Sequence, residues 1–156
     1  AIMRAIEYEY QQYISVKNYV YSIDDSKRIH IGETGWSSVA NDLYGSDGTK
    51  AADELKQGIY FKKITDLCAS LSISCFYFSA FDEPWKDSNN PEGSENHFGL
   101  FTVDGKAKYA LWDSVNDGLF KGLKRPNKII KTFNGDLNAL METVYLPPVN
   151  VEDGHQ

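Results

Sequence analysis

Basic charge, cysteine, histidine and long apolar runs are all scarce in this chain, and each scarcity removes a class of function. Sixteen Lys and Arg stand against 22 Asp and Glu, a formal net charge of −6. Nucleic acid, whose phosphates demand a basic surface, is therefore not an expected partner, and the acidic balance suits a neutral ligand. No apolar run approaches the ~18 residues of a membrane span. The three His have no spacing with Cys or Asp that suggests a metal site. A Gly-rich phosphate loop and a Gly-x-Ser-x-Gly elbow are both missing, so neither metal nor cofactor is expected. There is no Asn-x-Ser/Thr acceptor. Cys68 and Cys75, the only cysteines, could be bridged; the burial habit of cysteine favours two buried thiols. No secretory leader is visible, but the chain opens without Met and inside a predicted helix, so a preceding segment could have carried one.

What is present is a soluble globular composition, 42% hydrophobic and 24% charged in 156 residues, enough for one ordinary core. Aromatics reach 13%, with ten Tyr, eight Phe and three Trp. That excess serves packing first, but flat rings also stack on sugars. Ile6, Tyr10, Tyr13, Ile14 and Val20 fall at helical spacing between Ala5 and Tyr21. Arg28 to Glu33 reads as a β-branched strand, and Thr34 to Gly48 as a long loop. A second helix should begin near Thr49, with Tyr60, Ile64, Leu67 and Leu71 on one face. Ser74 to Phe81 is almost continuously apolar, as a strand covered on both faces should be. The stretch 87–96 is a loop, Gly99 to Val103 a brief strand turning at Asp104-Gly105, and Tyr109 to Val115 a third helix. Beyond Gly118, residues 119–156 read as a linker or C-terminal extension, with a last short helix from Asn138 to Val144. Alternating helices and strands with long loops after the strands mean parallel βα repetition. A complete (β/α)8 barrel takes about 250 residues, so the expected fold is α/β: about two βα units of a TIM barrel plus an extension, with residues 1–118 as the barrel part.

The chemistry sits at the two strand ends. In Gly32-Glu33-Thr34-Gly35-Trp36-Ser37-Ser38, a strand-end Glu is aimed at the barrel mouth, Gly32 and Gly35 let backbone approach, and Trp36 could stack on a sugar ring. The plainer reading makes Glu33 a cap for its loop. The second end, Phe81-Asp82-Glu83-Pro84-Trp85-Lys86, carries acids and an indole. A Glu83–Lys86 pair would keep the carboxylate ionised, either to orient a catalytic group or only to hold a loop. Trp85 is a sugar platform or the loop's own core. Glu95, just before Asn96-His97-Phe98-Gly99-Leu100-Phe101, could lean over the cleft or be a solvated loop acid. Glu92 reads as solvent-facing, His97 as lone, and His30 as a mid-strand residue with no sequence partner. Glycoside cleavage needs two carboxyl groups flanking one bond, and that is the chemistry these strand ends suggest.

These residues match a known pattern. Ile31-Gly32-Glu33-Thr34-Gly35-Trp36-Ser37-Ser38 resembles the Glu-Thr-Gly-Trp-Pro-Ser signature of glycoside hydrolase family 17, the β-1,3-glucanases. The stretch Phe78 to Lys86 is similar to the eighth-strand motif of its fungal and bacterial members, and Glu83, Lys86 and Glu95 meet the plant enzymes' spacing before Gly-Leu-Phe. Ala107-Lys108-Tyr109 resembles the family's usual close. The resemblance covers roughly residues 28 to 112 and implies the C-terminal portion of a TIM barrel that cleaves β-1,3-glucan with retention. It makes Glu33 the nucleophile at the end of the seventh strand and places Glu83, Lys86 and Glu95 in a supporting acidic network; the aromatic residues expected to bind substrate are Trp36, Phe81, Trp85 and Phe98. The family's acid/base Glu lies in an Asn-Glu motif of the fourth strand, which this chain lacks; Ser37 replaces the usual Pro, and Phe98 stands where Trp is common. The implied partners are β-glucan and the missing N-terminal barrel portion, and the implied location is extracellular, periplasmic or in a cell wall. A transglycosylase of the same family and a noncatalytic glucan-binding remnant are the alternatives.

Overall fold

The computed structural model describes residues 1–41 and 50–146; part of the predicted 34–48 loop, with the expected helix start near Thr49, therefore lies outside the described residues. The order is α1 (Ile2–Tyr21), β1 (Ile31–Thr34), α2 (Glu54–Leu71), β2 (Cys75–Tyr77), a 3-10 turn at Ser94–Asn96, a second at Tyr109–Leu111 running into α3 (Trp112–Asn116), a third at Thr132–Gly135, and α4 (Leu137–Met141). β1 and β2 are parallel neighbours, as the βα repetition predicts.

One face of this two-stranded sheet is covered by helices. Ile31 joins Ile2, Tyr60, Ile64 and Cys68 in a core onto which Ala5, Ile6, Leu67, Ile73, Cys75 and Tyr77 pack. α2 begins at Glu54 because Asp53, extended at φ −154°, accepts from the Lys56 N–H at 2.8 Å, a side-chain cap for an otherwise orphaned donor. It ends at Ser72, which takes the left-handed conformation at φ 54°. Cys68 and Cys75 form a disulfide from the last turn of α2 to the first residue of β2. The preference for free thiols was wrong: the short return from helix to strand brings the two Cα atoms to 6.2 Å, inside the range a disulfide spans.

Both strands are shorter than their apolar runs. His30 precedes β1, and its Nδ1 accepts from the Ser74 N–H at 3.0 Å. After Tyr77 the backbone leaves β2 and pairs with the chain returning from the following loop. Ser79 N–H donates to the Phe98 carbonyl (3.1 Å), Phe101 N–H to Ala80 (2.9 Å) and Asp82 N–H to Phe101 (2.9 Å). That pairing absorbs the brief strand expected at 99–103, which survives as isolated bridges. Phe76 is 65% exposed, against the expectation of cover on both faces. It points to the face opposite Cys75 and Tyr77, which carries no layer among the described residues.

A second cluster forms from Ala107, Leu111 and Ile129, with Phe61, Leu100, Phe101 and Phe120 against it. The segment after residue 127 returns to the barrel part. Ala107 N–H donates to the Ile130 carbonyl at 2.8 Å, Thr132 N–H to Ala107 at 2.9 Å, and Leu140 is fully buried. Lys56 Nζ reaches the Tyr145 carbonyl at 2.7 Å. Leu140→Ala should therefore cost about 2–5 kcal/mol, read as a lower urea midpoint; a loss below about 0.5 kcal/mol, the usual effect of a surface substitution, would mean that this segment only decorates the fold.

Candidate active site

The pairing of β1 with β2 is irregular where it matters. Ile31 aligns with Cys75 and Thr34 with Tyr77, so three steps on β1 span two on β2. Strict alternation would put Ile31 and Glu33 on the same face. The extra residue instead buries Ile31 and Thr34, leaving Gly32 and Glu33 exposed. Thr34 Oγ1 is then hydrogen-bonded to the Tyr60 hydroxyl at 2.6 Å. A bulge of this kind re-aims a side chain, and here it turns Glu33 away from the helices. Glu33 is the penultimate strand residue and has no hydrogen bond or ion pair among the described residues.

Beside it the backbones converge. A Cβ on Gly35 would meet the Phe78 carbonyl oxygen well inside van der Waals contact and the Phe98 ring at 3.4 Å, so only glycine fits this crossing. Gly32, expected to serve the same purpose, has open space around it. Phe78 packs on Phe98 at 5.6 Å between ring centres, and the Lys86 ammonium sits 3.9 Å over the Phe78 ring while pairing with Glu83 at 3.1 Å. Gly35, Phe98, Phe78, Lys86 and Glu83 thus form one continuous wall. Glu95 is exposed and unpaired among the described residues, and Trp85 is 61% exposed.

Two of the expected sugar platforms have other contacts. Trp36 donates its indole N–H to the Ala51 carbonyl at 2.9 Å and packs on Tyr60 with ring centres 5.1 Å apart. Phe81 stacks on Phe101 at 5.3 Å with the Arg125 guanidinium 3.8 Å over its ring, in a cluster with the C-terminal segment. Among the described residues, no group of three or more His, Cys, Asp or Glu side chains could hold a metal ion.

Behind the wall lies a buried polar centre that sequence reading missed. Lys108, 3% exposed, donates from Nζ to Asp82 Oδ1 and Ser38 Oγ, each at 2.7 Å. Asp82 Oδ1 also accepts from the Gly99 N–H at 3.0 Å. Burial pushes the Lys108 pKa down, opposed by the Asp82 carboxylate. His97 is not lone: its Nδ1 lies 3.9 Å from Asp82 Oδ2 and its Nε2 is 2.7 Å from the Pro91 carbonyl. The carboxylate raises the His97 pKa above the ordinary value while burial opposes it. Gln57, fully buried on α2, donates from Nε2 to the Trp36 carbonyl at 2.9 Å and the Gly99 carbonyl at 3.1 Å. The sequence signals for it were the adjacency of Asp82 to Glu83 and the place of Ser38 and Lys108 in the strand-end and closing motifs, none of which pointed to their contact.

Because its folded pKa is raised, protonated His97 stabilises the fold fully below its unfolded value near 6.5, and that gain disappears as pH rises through the folded value. Unfolding stability of the parent relative to His97→Gln should therefore decline from pH 6 towards 8, and NMR titration of the imidazole should give a midpoint above about 6.5 that drops in Asp82→Asn. An unmoved midpoint in Asp82→Asn would refute the pairing.

Comparison with known proteins finds relatives of one family. The profile of "Glycosyl hydrolases family 17" matches residues 20–112. The chain is similar to a glucan 1,3-beta-glucosidase of Arthroderma benhamiae, 39% identical over 100 residues that cover 58% of this chain and 30% of that protein. A Saccharomyces cerevisiae glucan 1,3-beta-glucosidase is 30% identical over 82 residues, 52% of this chain and 25% of that one. In three dimensions the chain superimposes on an endo-laminarinase from Formosa Hel1_33_131 with TM-score 0.88 and 52% identity, covering 99% of this chain and 40% of that one. A β-1,3-glucanosyltransferase from Rhizomucor miehei superimposes with TM-score 0.56 and 27% identity over 70% of this chain and 36% of that one. The chain thus spans well under half the length of each of these relatives. With more than half of its residues matching the profile, from strand-end Glu33 through the wall of Phe78, Lys86 and Phe98, the chain belongs to the glycosyl hydrolases of family 17.

Proposed function

We propose that this chain is the C-terminal portion of a (β/α)8 β-1,3-glucanase, and that Glu33 is its nucleophile. The observation that carries this reading is the bulge that turns Glu33 onto the face of the sheet without helices, two residues before Gly35, which lies against Phe78 and Phe98. In a closed barrel that face is the interior, filled by side chains from alternate strands, and it is where Phe76 stands exposed. The carboxylate of Glu33 would attack the anomeric carbon, forming a C–O bond as the glycosidic C–O bond breaks. A second carboxyl group about 5–5.5 Å away would protonate the departing oxygen, then take a proton from the water that releases the sugar. That second group would come from the preceding part of the barrel, where the family carries its Asn-Glu motif. Lys86 pairs with Glu83 at 3.1 Å, and Glu95, exposed on the same loop, extends the acidic rim; Trp85 and Phe98 offer flat faces to a sugar.

Hydrolysis is preferred to sugar transfer because the neighbour at 52% identity is an endo-laminarinase, whereas the glucanosyltransferase shares 27%. The net charge of −6 suits a neutral glucan. The Cys68–Cys75 disulfide suits an oxidising compartment outside the cytosol.

In the longer protein that supplies the rest of the barrel, Glu33→Gln should lower kcat on laminarin by about 10³-fold or more with binding of laminari-oligosaccharides retained. The isolated 156 residues should not hydrolyse laminarin, lacking the partner carboxyl. Turnover by the isolated chain, or by the Glu33→Gln protein, would overturn the assignment.

A further inference from the structure

Two loops carry the groups assigned above: one follows β1 and holds Gly35, Trp36 and Ser38, and the other follows β2 and holds Asp82, Glu83, Glu95 and Phe98. Their mutual placement rests on hydrogen bonds. Ser38 N–H donates to the His97 carbonyl at 3.0 Å, and Ser37 Oγ donates to the Ser94 carbonyl at 3.0 Å. Between them stand two buried side chains that belong to neither loop. Lys108 Nζ donates to Ser38 on the first loop and to Asp82 on the second, with the His97 carbonyl at 3.4 Å. Gln57 Nε2 donates to Trp36 on the first and Gly99 on the second, with the carbonyls of His97 and Phe98 at 3.4 Å. Each side chain bridges both loops from one nitrogen, and each is buried, Lys108 at 3% and Gln57 at 0% exposure, so neither can touch a glucan.

We propose that Lys108 and Gln57 are positioning residues that fix the loop after β1 against the loop after β2, and through them the register of Glu33 with the acids of the second loop. This rests on the assignment of Glu33 as nucleophile. The groups around a nucleophile must be held in place for it to react, and a displacement of about 1 Å can cost about 10²-fold in rate. Two rivets at different points resist both sliding and hinging of one loop on the other, which one alone would not.

The test uses the longer active protein with three changes. Lys108→Met combined with Asp82→Asn removes the ion pair without leaving a charge buried, and the Asn oxygen still accepts from Gly99. Gln57→Met keeps the volume and removes the donor. Glu33→Gln is the catalytic control. Laminarin kinetics are read with hydrogen exchange at the Ser38 and Gly99 amides, referred to an amide inside α2. The expected result for both rivet variants is kcat lower by about tenfold or more with KM within about twofold, and loop amides exchanging about tenfold faster than the helix reference. A merely structural role would speed exchange at the loops and in α2 alike and leave kcat of the folded fraction unchanged. That outcome, or parent-like kcat with Glu33→Gln inactive, overturns the positioning role alone. Turnover surviving in Glu33→Gln removes the group the rivets serve and overturns both readings.

Discussion

The parallel pairing of Ile31–Thr34 with Cys75–Tyr77 sets the direction of every other part of the site. Because the strands run the same way, both following loops emerge at one end. Because the connection between them is α2, the helical core of Ile2, Tyr60, Ile64 and Cys68 can cover only one face. The extra residue in β1 decides which side chains use that cover. Thr34, which strict alternation would expose, is held inside by Tyr60, and Glu33, which alternation would bury, is released. An unpartnered carboxylate pressed under α2 would be expensive; the bulge avoids that cost and turns the acid to the open face.

The loops are then joined by polar contacts where a core would use apolar ones. Residues 79–82 pair with 98–101 through backbone hydrogen bonds, so the 83–97 loop is closed at its base. Asn96, almost fully buried, fills its centre. Its side chain accepts from the Asp87 N–H at 2.8 Å and donates to the carbonyls of Asp87 and Asn90 at 2.9 and 3.0 Å. A buried amide with those partners satisfies backbone groups that the loop's curvature leaves without neighbours. Glu95, next to it, is exposed on a turn that is not itself free to swing. Exposure of a side chain and rigidity of its backbone coexist here.

The parts of this arrangement that follow local rules were legible in the sequence. Helical spacing around Tyr13 and Tyr60 marked α1 and α2, and the apolar runs marked both strand positions. The spacing of Glu83 and Lys86 beside their strand end anticipated the ion pair they form. The unread parts all depend on residues distant along the chain. A bulge leaves no mark in a four-residue strand, since Gly32-Glu33 looks like any strand end. His97 acquires Asp82 as a neighbour only because the loop folds back on itself. Lys108, read only as part of a closing motif, finds Ser38 and Asp82 across 70 and 26 positions. Phe81 belonged to an aromatic run suited to sugar stacking, yet residues 100–125 supply its cover, Phe101 and Arg125. Phe76 erred the other way: its apolar neighbours implied cover that no described residue supplies.

The Lys108–Asp82 pair also explains why a polar brace suits this place better than an apolar one. A buried ion pair adds little net stability, because desolvation offsets most of the attraction, whereas removing one partner alone costs about 3–5 kcal/mol. Leu or Met at these positions would hold the loops together about as well in total energy, but apolar contacts are not directional and permit small slides. A nitrogen with fixed donors to Ser38, Asp82 and the His97 carbonyl accepts one arrangement, since any slide leaves a buried donor unsatisfied. Such discrimination between near-identical packings is worth its desolvation cost only where displacements of an ångström have consequences. Under the assignment of Glu33 as nucleophile, that place is the junction of the two strand-end loops.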